Sequence, residues 1–245
     1  MLQVTTSWDD GDALDVKLAV LLQKYDIAGT FYVTRDYRKN SLSSEDIRNV
    51  ATRHEVGAHS LTHPDLRTLT TEQKKDEIQG SKKWLEELLG KEVPMFCYPS
   101  GHFDAESERI AREAGFKGAR TTKPGEIRLS GNSFQMPTTL GVYPMPFRKT
   151  GPHTFYWREL LQPLRERAPG LRSLGVPLRA FRSWEALACA TFDIALKRGE
   201  VFHLWGHSWE IERYDMWESL KRVLRYIGNR DDCQYVTNGE LIREV

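Results

Sequence analysis

The feature that most constrains this chain is a regular alternation in its first half. Short β-rich apolar runs take turns with amphipathic helical patterns, and ionisable residues gather where the runs end. Leu2–Ser7, Gly29–Val33, Glu55–His59, Pro94–Tyr98 and Phe116–Arg120 read as strands. Between them, Leu14–Tyr25 carries Leu14, Leu18, Leu21 and Leu22 on one helical face. Ser43-Ser44-Glu45-Asp46 is a helix-start signal continued by Ile47–Thr52. Thr71–Leu89 is a long amphipathic helix closed by Gly90, and Ala105–Ala114 is a further helix. Strand, helix, strand in this order predicts parallel strands joined by crossover helices. In such folds the carboxyl ends of the strands build the site. Asp9-Asp10, His59 and Pro99-Ser100-Gly101 are therefore expected around one mouth.

The length, 245 residues, suits a single α/β domain over residues 1–245. Residues 124–180 are rich in Pro and Gly and read as an insertion, a lid or a substrate-binding segment. Two short strands are expected near 133–143 and a helix around Thr154–Arg167. Beyond it, Ser183–Arg198 and Ile211–Ile227 read as helices, Glu200–Trp205 and Gln234–Val236 as strands, and Gly239–Glu244 as a short helix.

Charge excludes some classes of partner. With 35 basic and 34 acidic side chains, nothing calls for nucleic acid or an anionic membrane surface. No apolar run is long enough to span a bilayer. Met1 leads almost directly into the first strand without a signal-peptide pattern, which gives a cytoplasmic expectation. Cys97, Cys189 and Cys233 are odd in number and widely spaced, so no disulfide framework is implied, and a reducing compartment is the simplest reading. The oligomeric state is not legible.

Four clusters carry chemistry. Thr6-Ser7-Trp8-Asp9-Asp10-Gly11 sets two carboxylates at a strand end, with a glycine to let the chain bend. Alone it reads as an ordinary Asp-Gly turn. His59 and His63 are four residues apart in His-Ser-Leu-Thr-His, and Pro64 biases His63 towards loop geometry. Phe96-Cys97-Tyr98-Pro99-Ser100-Gly101 marks a tight turn after a strand, where a backbone N–H can face an oxyanion. Phe202–Glu210 ends the last strong strand with His203, Trp205 and His207 tending to one side, and one such histidine suits a general acid. Each cluster alone has a plain structural reading. Together, each at a predicted strand end, they have the layout of a hydrolytic metal site.

The sequence at this point resembles the polysaccharide deacetylase family, the NodB-homology or carbohydrate esterase 4 group. Thr6–Gly11 resembles its T-F-D-D-G motif, His59–His63 its H-[ST]-x-x-H, and Trp205-Gly206-His207-Ser208 its last motif. The resemblance implies a distorted, incomplete (β/α) barrel. It implies that Asp10, His59 and His63 bind a divalent metal, with Asp9 as general base and His207 as general acid. It assigns the Tyr98 backbone N–H to the oxyanion. Zn²⁺ is the expected ion, and Co²⁺, Ni²⁺ or Mn²⁺ suit the same donors. Trp8, Pro99, Trp205 and Trp209 are candidate substrate contacts, since aromatic faces stack on sugar rings.

Two departures stand out. Cys97 occupies the position of the family's base-holding arginine, and no Asp-Trp motif is evident in 124–180, although Glu210 or Glu212 could serve in its place. The implied activity is removal of an acyl group, acetyl first, from the nitrogen of an N-acylated sugar. A hydrolase of a small non-sugar amide, such as a ureide or cyclic imide, and a non-catalytic carbohydrate-binding protein are the competing readings.

Overall fold

The structure, a computed structural model, describes residues 1–129, 131–148 and 160–244. Strand β1 (Leu2–Asp10) is the central strand of the sheet, and every residue in it except Gln3 is buried. One edge of β1 pairs along Gln3–Trp8 with β7 (Val201–Gly206). The other edge is shared: Leu2–Val4 meets β8 (Cys233–Tyr235) and Ser7–Asp10 meets β2 (Thr30–Val33). From β2 the sheet continues through β3 (Glu55–Ala58), β4 (Met95–Cys97) and β5 (Gly118–Arg120), while β6 (Leu140–Gly141) lies beyond β7. All the strand pairings are parallel. Burial on both faces explains why the strands read as runs of apolar residues rather than as alternation.

The sheet curls into an incomplete barrel whose open side is spanned by one short segment. At its start the Met136 N–H donates to Ala119 O and its carbonyl accepts from the Thr121 N–H, both at 2.9 Å. Further along, the Thr139 N–H donates to His203 O at 3.0 Å, and β6 then pairs with β7. The two strands expected near 133–143 are thus one bridge at Met136, preceded by a 3₁₀ turn, and a two-residue strand.

Helices α1 (Asp15–Gln23), α2 (Ser44–Val50), α3 (Thr71–Leu89) and α4 (Ala105–Glu113) form the crossovers, as the alternation predicts. Helices α2, α3 and α4 each begin with a capping box, at Ser43, Thr70 and Asp104. The helix expected around Thr154–Arg167 falls partly on residues outside the described ones; the described helix, α5, runs Gln162–Ser173. After α6 (Trp184–Arg198), the single helix expected over Ile211–Ile227 is two, α7 (Ser208–Arg213) and α8 (Trp217–Ile227). Asp215 between them takes a left-handed φ of 53°, which ends the first helix.

The amino-terminal end of the barrel is closed by α9 (Asn238–Leu241). Its buried Asn238 accepts from Thr5 Oγ1 at 2.8 Å and donates to the Tyr32 hydroxyl at 2.9 Å. Glu55 accepts from the Gly239 N–H at 3.1 Å and from Thr30 Oγ1 at 2.9 Å. All three cysteines are free thiols. Among the described residues no helix is long and apolar enough to cross a membrane.

Candidate active site

At the end of β1 the backbone turns through Asp10 (φ 81°) and Gly11 (φ 69°). Consecutive strand residues point to opposite faces, so this bend is what lets Asp9 and Asp10 line one cavity. A Cβ at Gly11 would sit 2.8 Å from Val33 Cγ1, so the close turn requires glycine. His59 follows β3 and is fully enclosed. Its Nδ1 donates to the Cys97 carbonyl at 2.8 Å, which leaves the Nε2 lone pair facing outward. The His63 ring stacks on Tyr37, centroids 4.3 Å apart and planes 15° off parallel. The Nε2 atoms of both histidines lie 3.7 Å from Asp10 Oδ1.

These residues fit a divalent ion. Asp10 Oδ1 is buried and has no hydrogen-bond partner, a costly state unless something positive sits against it. The other oxygen, Oδ2, is held by the Trp209 indole N–H at 2.8 Å. One donor atom from each of Asp10, His59 and His63 lies within 4.8 Å of the others. Burial pushes the His59 imidazole down to about 4 and lowers His63, so both are neutral near pH 7, as metal ligation requires. Asp9, His59 and Cys97 are grouped as closely. That set fits worse, because Asp9 is engaged by Arg120 and burial pushes the Cys97 thiol well up, away from the thiolate.

Arg120 is the residue that sequence reasoning missed. It ends β5 directly across from Cys97 in the strand register. Its guanidinium, fully buried, donates to both carboxylate oxygens of Asp9. The cation also lies 4.9 Å from the Trp205 ring centroid and 5.3 Å from that of Tyr32. Burial alone would push Asp9 up; Arg120, with smaller help from His59 and His207, outweighs it and holds Asp9 below its ordinary value. The position emptied by Cys97 is thus served from the neighbouring strand. The available signal was an arginine closing an otherwise buried strand, Gly118-Ala119-Arg120.

His207 caps α7, immediately after β7. Its Nδ1 lies 2.7 Å from Glu210 Oε2, and its Nε2 4.0 Å from Asp10 Oδ2. Burial would lower this imidazole, but the Glu210 hydrogen bond and the charges of Asp10 and Asp9 raise it to about 8. Of the two glutamates considered for this place, Glu210 fills it. Glu212 instead accepts from the Trp217 indole at 2.5 Å. His203 points into the barrel against Ser7 Oγ at 2.8 Å, and burial pushes it down to about 3.

Three expected contacts are placed differently. The Tyr98 N–H donates to the Arg120 carbonyl at 3.2 Å, so it is committed to the sheet rather than to the cavity. Trp8 is fully buried in the core with its indole N–H on Thr6 Oγ1, and Pro99 is buried beneath the turn that it begins. The residue of that turn on the cavity wall is Ser100, which has a left-handed φ of 56° and whose N–H has no acceptor among the described residues. Trp205 and Trp209 do line the cavity, which measures about 490 Å³.

A (β/α) half-barrel with Asp-Asp, two histidines and a late-strand histidine at its mouth has the architecture of the NodB-type deacetylases. Residues 3–119, which run from β1 into β5, match the family model described as Polysaccharide deacetylase. Among curated proteins, "Putative polysaccharide deacetylase YxkH" of Bacillus subtilis (strain 168) is 27% identical over 127 residues, 50% of this chain and 45% of that protein. Peptidoglycan-N-acetylmuramic acid deacetylase PdaA of the same organism is 31% identical over 107 residues, 43% of this chain and 39% of that protein. The chain spans less than half the length of the curated relatives it matches. A "putative polysaccharide deacetylase" structure from Mycobacterium smegmatis superposes with a TM-score of 0.71 at 15% identity, covering 100% of this chain and 90% of that one, a likeness of fold.

Proposed function

We propose that the chain is a divalent-metal-dependent hydrolase that removes an acyl group, acetyl first, from the amide nitrogen of an N-acylated sugar. The observation that carries this reading is the unpartnered, buried Asp10 Oδ1 facing two neutral imidazoles, with Asp9 ionised beside it. Asp10, His59 and His63 would hold the ion, Zn²⁺ first by donor type. When bound, it would supply Lewis acidity towards the amide carbonyl and lower the pKa of bound water.

The remaining chemistry falls to the chain's own side chains. Asp9, kept ionised by Arg120, takes a proton from the attacking water. The Ser100 N–H, in place of the Tyr98 N–H, donates to the oxyanion. His207 gives the Nε2 proton to the leaving amine while Glu210 fixes its Nδ1. The products are a carboxylate and a free amine.

Asp9→Asn separates the two halves of this reading. Turnover of N-acetylated sugars should fall by about 10²-fold or more, the size of a lost general base. Metal content should be unchanged, because Asp9 is not among the ligands. Wild-type turnover in this variant would remove Asp9 from the mechanism.

A further inference from the structure

The mouth of the barrel is walled on two opposite sides, and this limits what can reach the site. Around the ring β2 stands three strands from β5 one way and three from β6 the other, so its loop faces the open side of the barrel. That loop carries Tyr37, which stacks on His63, and Arg38, which lies 4.5 Å from the Trp209 ring centroid. It is fastened at both ends. The Arg35 and Asp36 N–H groups donate to Leu61 O at 3.0 and 2.8 Å, and the Leu42 N–H donates to Gly11 O at 2.8 Å.

On the other side, α5 leans over the cavity and contributes Leu171, which is completely buried. Its backbone meets the segment after β5 without intervening side chains: a Cβ on Gly125 (φ 78°) would lie 2.8 Å from the Gly170 carbonyl carbon. The Gly125 N–H is itself tied to Thr139 O at 3.0 Å. Both walls are therefore bonded or packed to the barrel rather than hung on free loops.

From these walls we infer that the cavity admits its substrate end-on, as a small N-acyl sugar or the terminal residue of a short chain, and not as an interior residue of a long polymer. The inference rests on the hydrolase reading only for the identity of the ligand. A polymer lying across the mouth from the β2 loop to α5 would need a groove open at both ends, and Tyr37 and Leu171 stand at those ends. A volume of about 490 Å³ is in the range of sites that enclose one small ligand.

The test uses the intact chain, supplied with Zn²⁺, and N-acetylglucosamine with its β-1,4-linked oligomers from monomer to hexamer. Binding is read by calorimetry and by the change in intrinsic tryptophan fluorescence, to which Trp205 and Trp209 on the cavity wall contribute. Acetate release is measured in the same tubes, and the deacetylated ring is located by mass spectrometry. End-on entry predicts dimer and hexamer affinities within about threefold of each other, since added rings gain no contacts. Any deacetylation should be confined to a terminal ring. Affinity that climbs steadily with length, deacetylation of interior rings, or no binding by any member would overturn it. Length-independent binding without acetate release would keep the end-on cavity and instead remove the hydrolase reading.

Discussion

Asp9 is a buried carboxylate whose ionised state depends on one guanidinium. Removing one member of a buried ion pair leaves the other uncompensated, at a cost of about 3–5 kcal/mol. Arg120→Met should therefore lower unfolding stability by that order in denaturant titration. Arg120→Lys restores the charge but not the planar guanidinium that fills this buried site between Asp9, Trp205 and Tyr32. It should recover most of the stability yet keep kcat depressed, with KM little changed. Wild-type kcat in Arg120→Lys would mean that the guanidinium itself is not what matters. Asp9, Asp10, His59, His63 and His207 were legible because each closes a strand or its loop in a recognisable string of residues. Arg120 was not, because its partner lies 111 positions earlier and only strand register brings them together. That the sheet takes the Tyr98 N–H and leaves the Ser100 N–H over was not legible for a related reason. Sequence identifies a turn, but which N–H is left over depends on which one the next strand takes.

The elements follow the same rule. Strands β1 to β5 and the crossover helices could be read from periodicity, since each is a local pattern with its own caps. The segment from Met136 to Gly141 was legible only as strand-like, not as one bridge and a two-residue strand, because its pairing is too short to leave a period in the sequence. Nor does composition reveal the break between α7 and α8, where one left-handed Asp215 interrupts an otherwise continuous apolar face. The seat of α5 depends on the contact of Gly125 with Gly170. Gly125→Ala introduces both a strained φ and a collision with backbone, so it should cost about 1–3 kcal/mol. The expected signature is local: faster hydrogen exchange in α5, with β1 to β4 unaffected. Unchanged exchange in α5 would show that this contact does not hold the helix.

At the scale of the whole molecule, the closing helix at the barrel floor brings a titratable group into the stability of the fold. Burial pushes Glu55 up from 4.5 to about 7, against the hydrogen bonds from Thr30, Gly239 and Thr237 that lower it. The folded state therefore keeps this proton after the unfolded chain has released it. The resulting stability is fully present below about pH 4.5 and is lost as pH rises through about 7. The amount is on the order of 3 kcal/mol. Glu55→Gln removes the titration, so between about pH 5 and about pH 8 wild-type Tm should fall relative to the variant. Parallel Tm curves for the two proteins would contradict this assignment.

The central claim is that Asp10, His59 and His63 hold one cation beside Asp9. Elemental analysis of the purified protein, after chelation and reloading with Zn²⁺, tests it most directly, in wild type and in His63→Ala. The account predicts about one ion per wild-type chain and a sharp loss in the variant, with the fold retained by circular dichroism. No ion in the wild type after reloading with Zn²⁺, Co²⁺ or Mn²⁺, or equal content in both proteins, would contradict it.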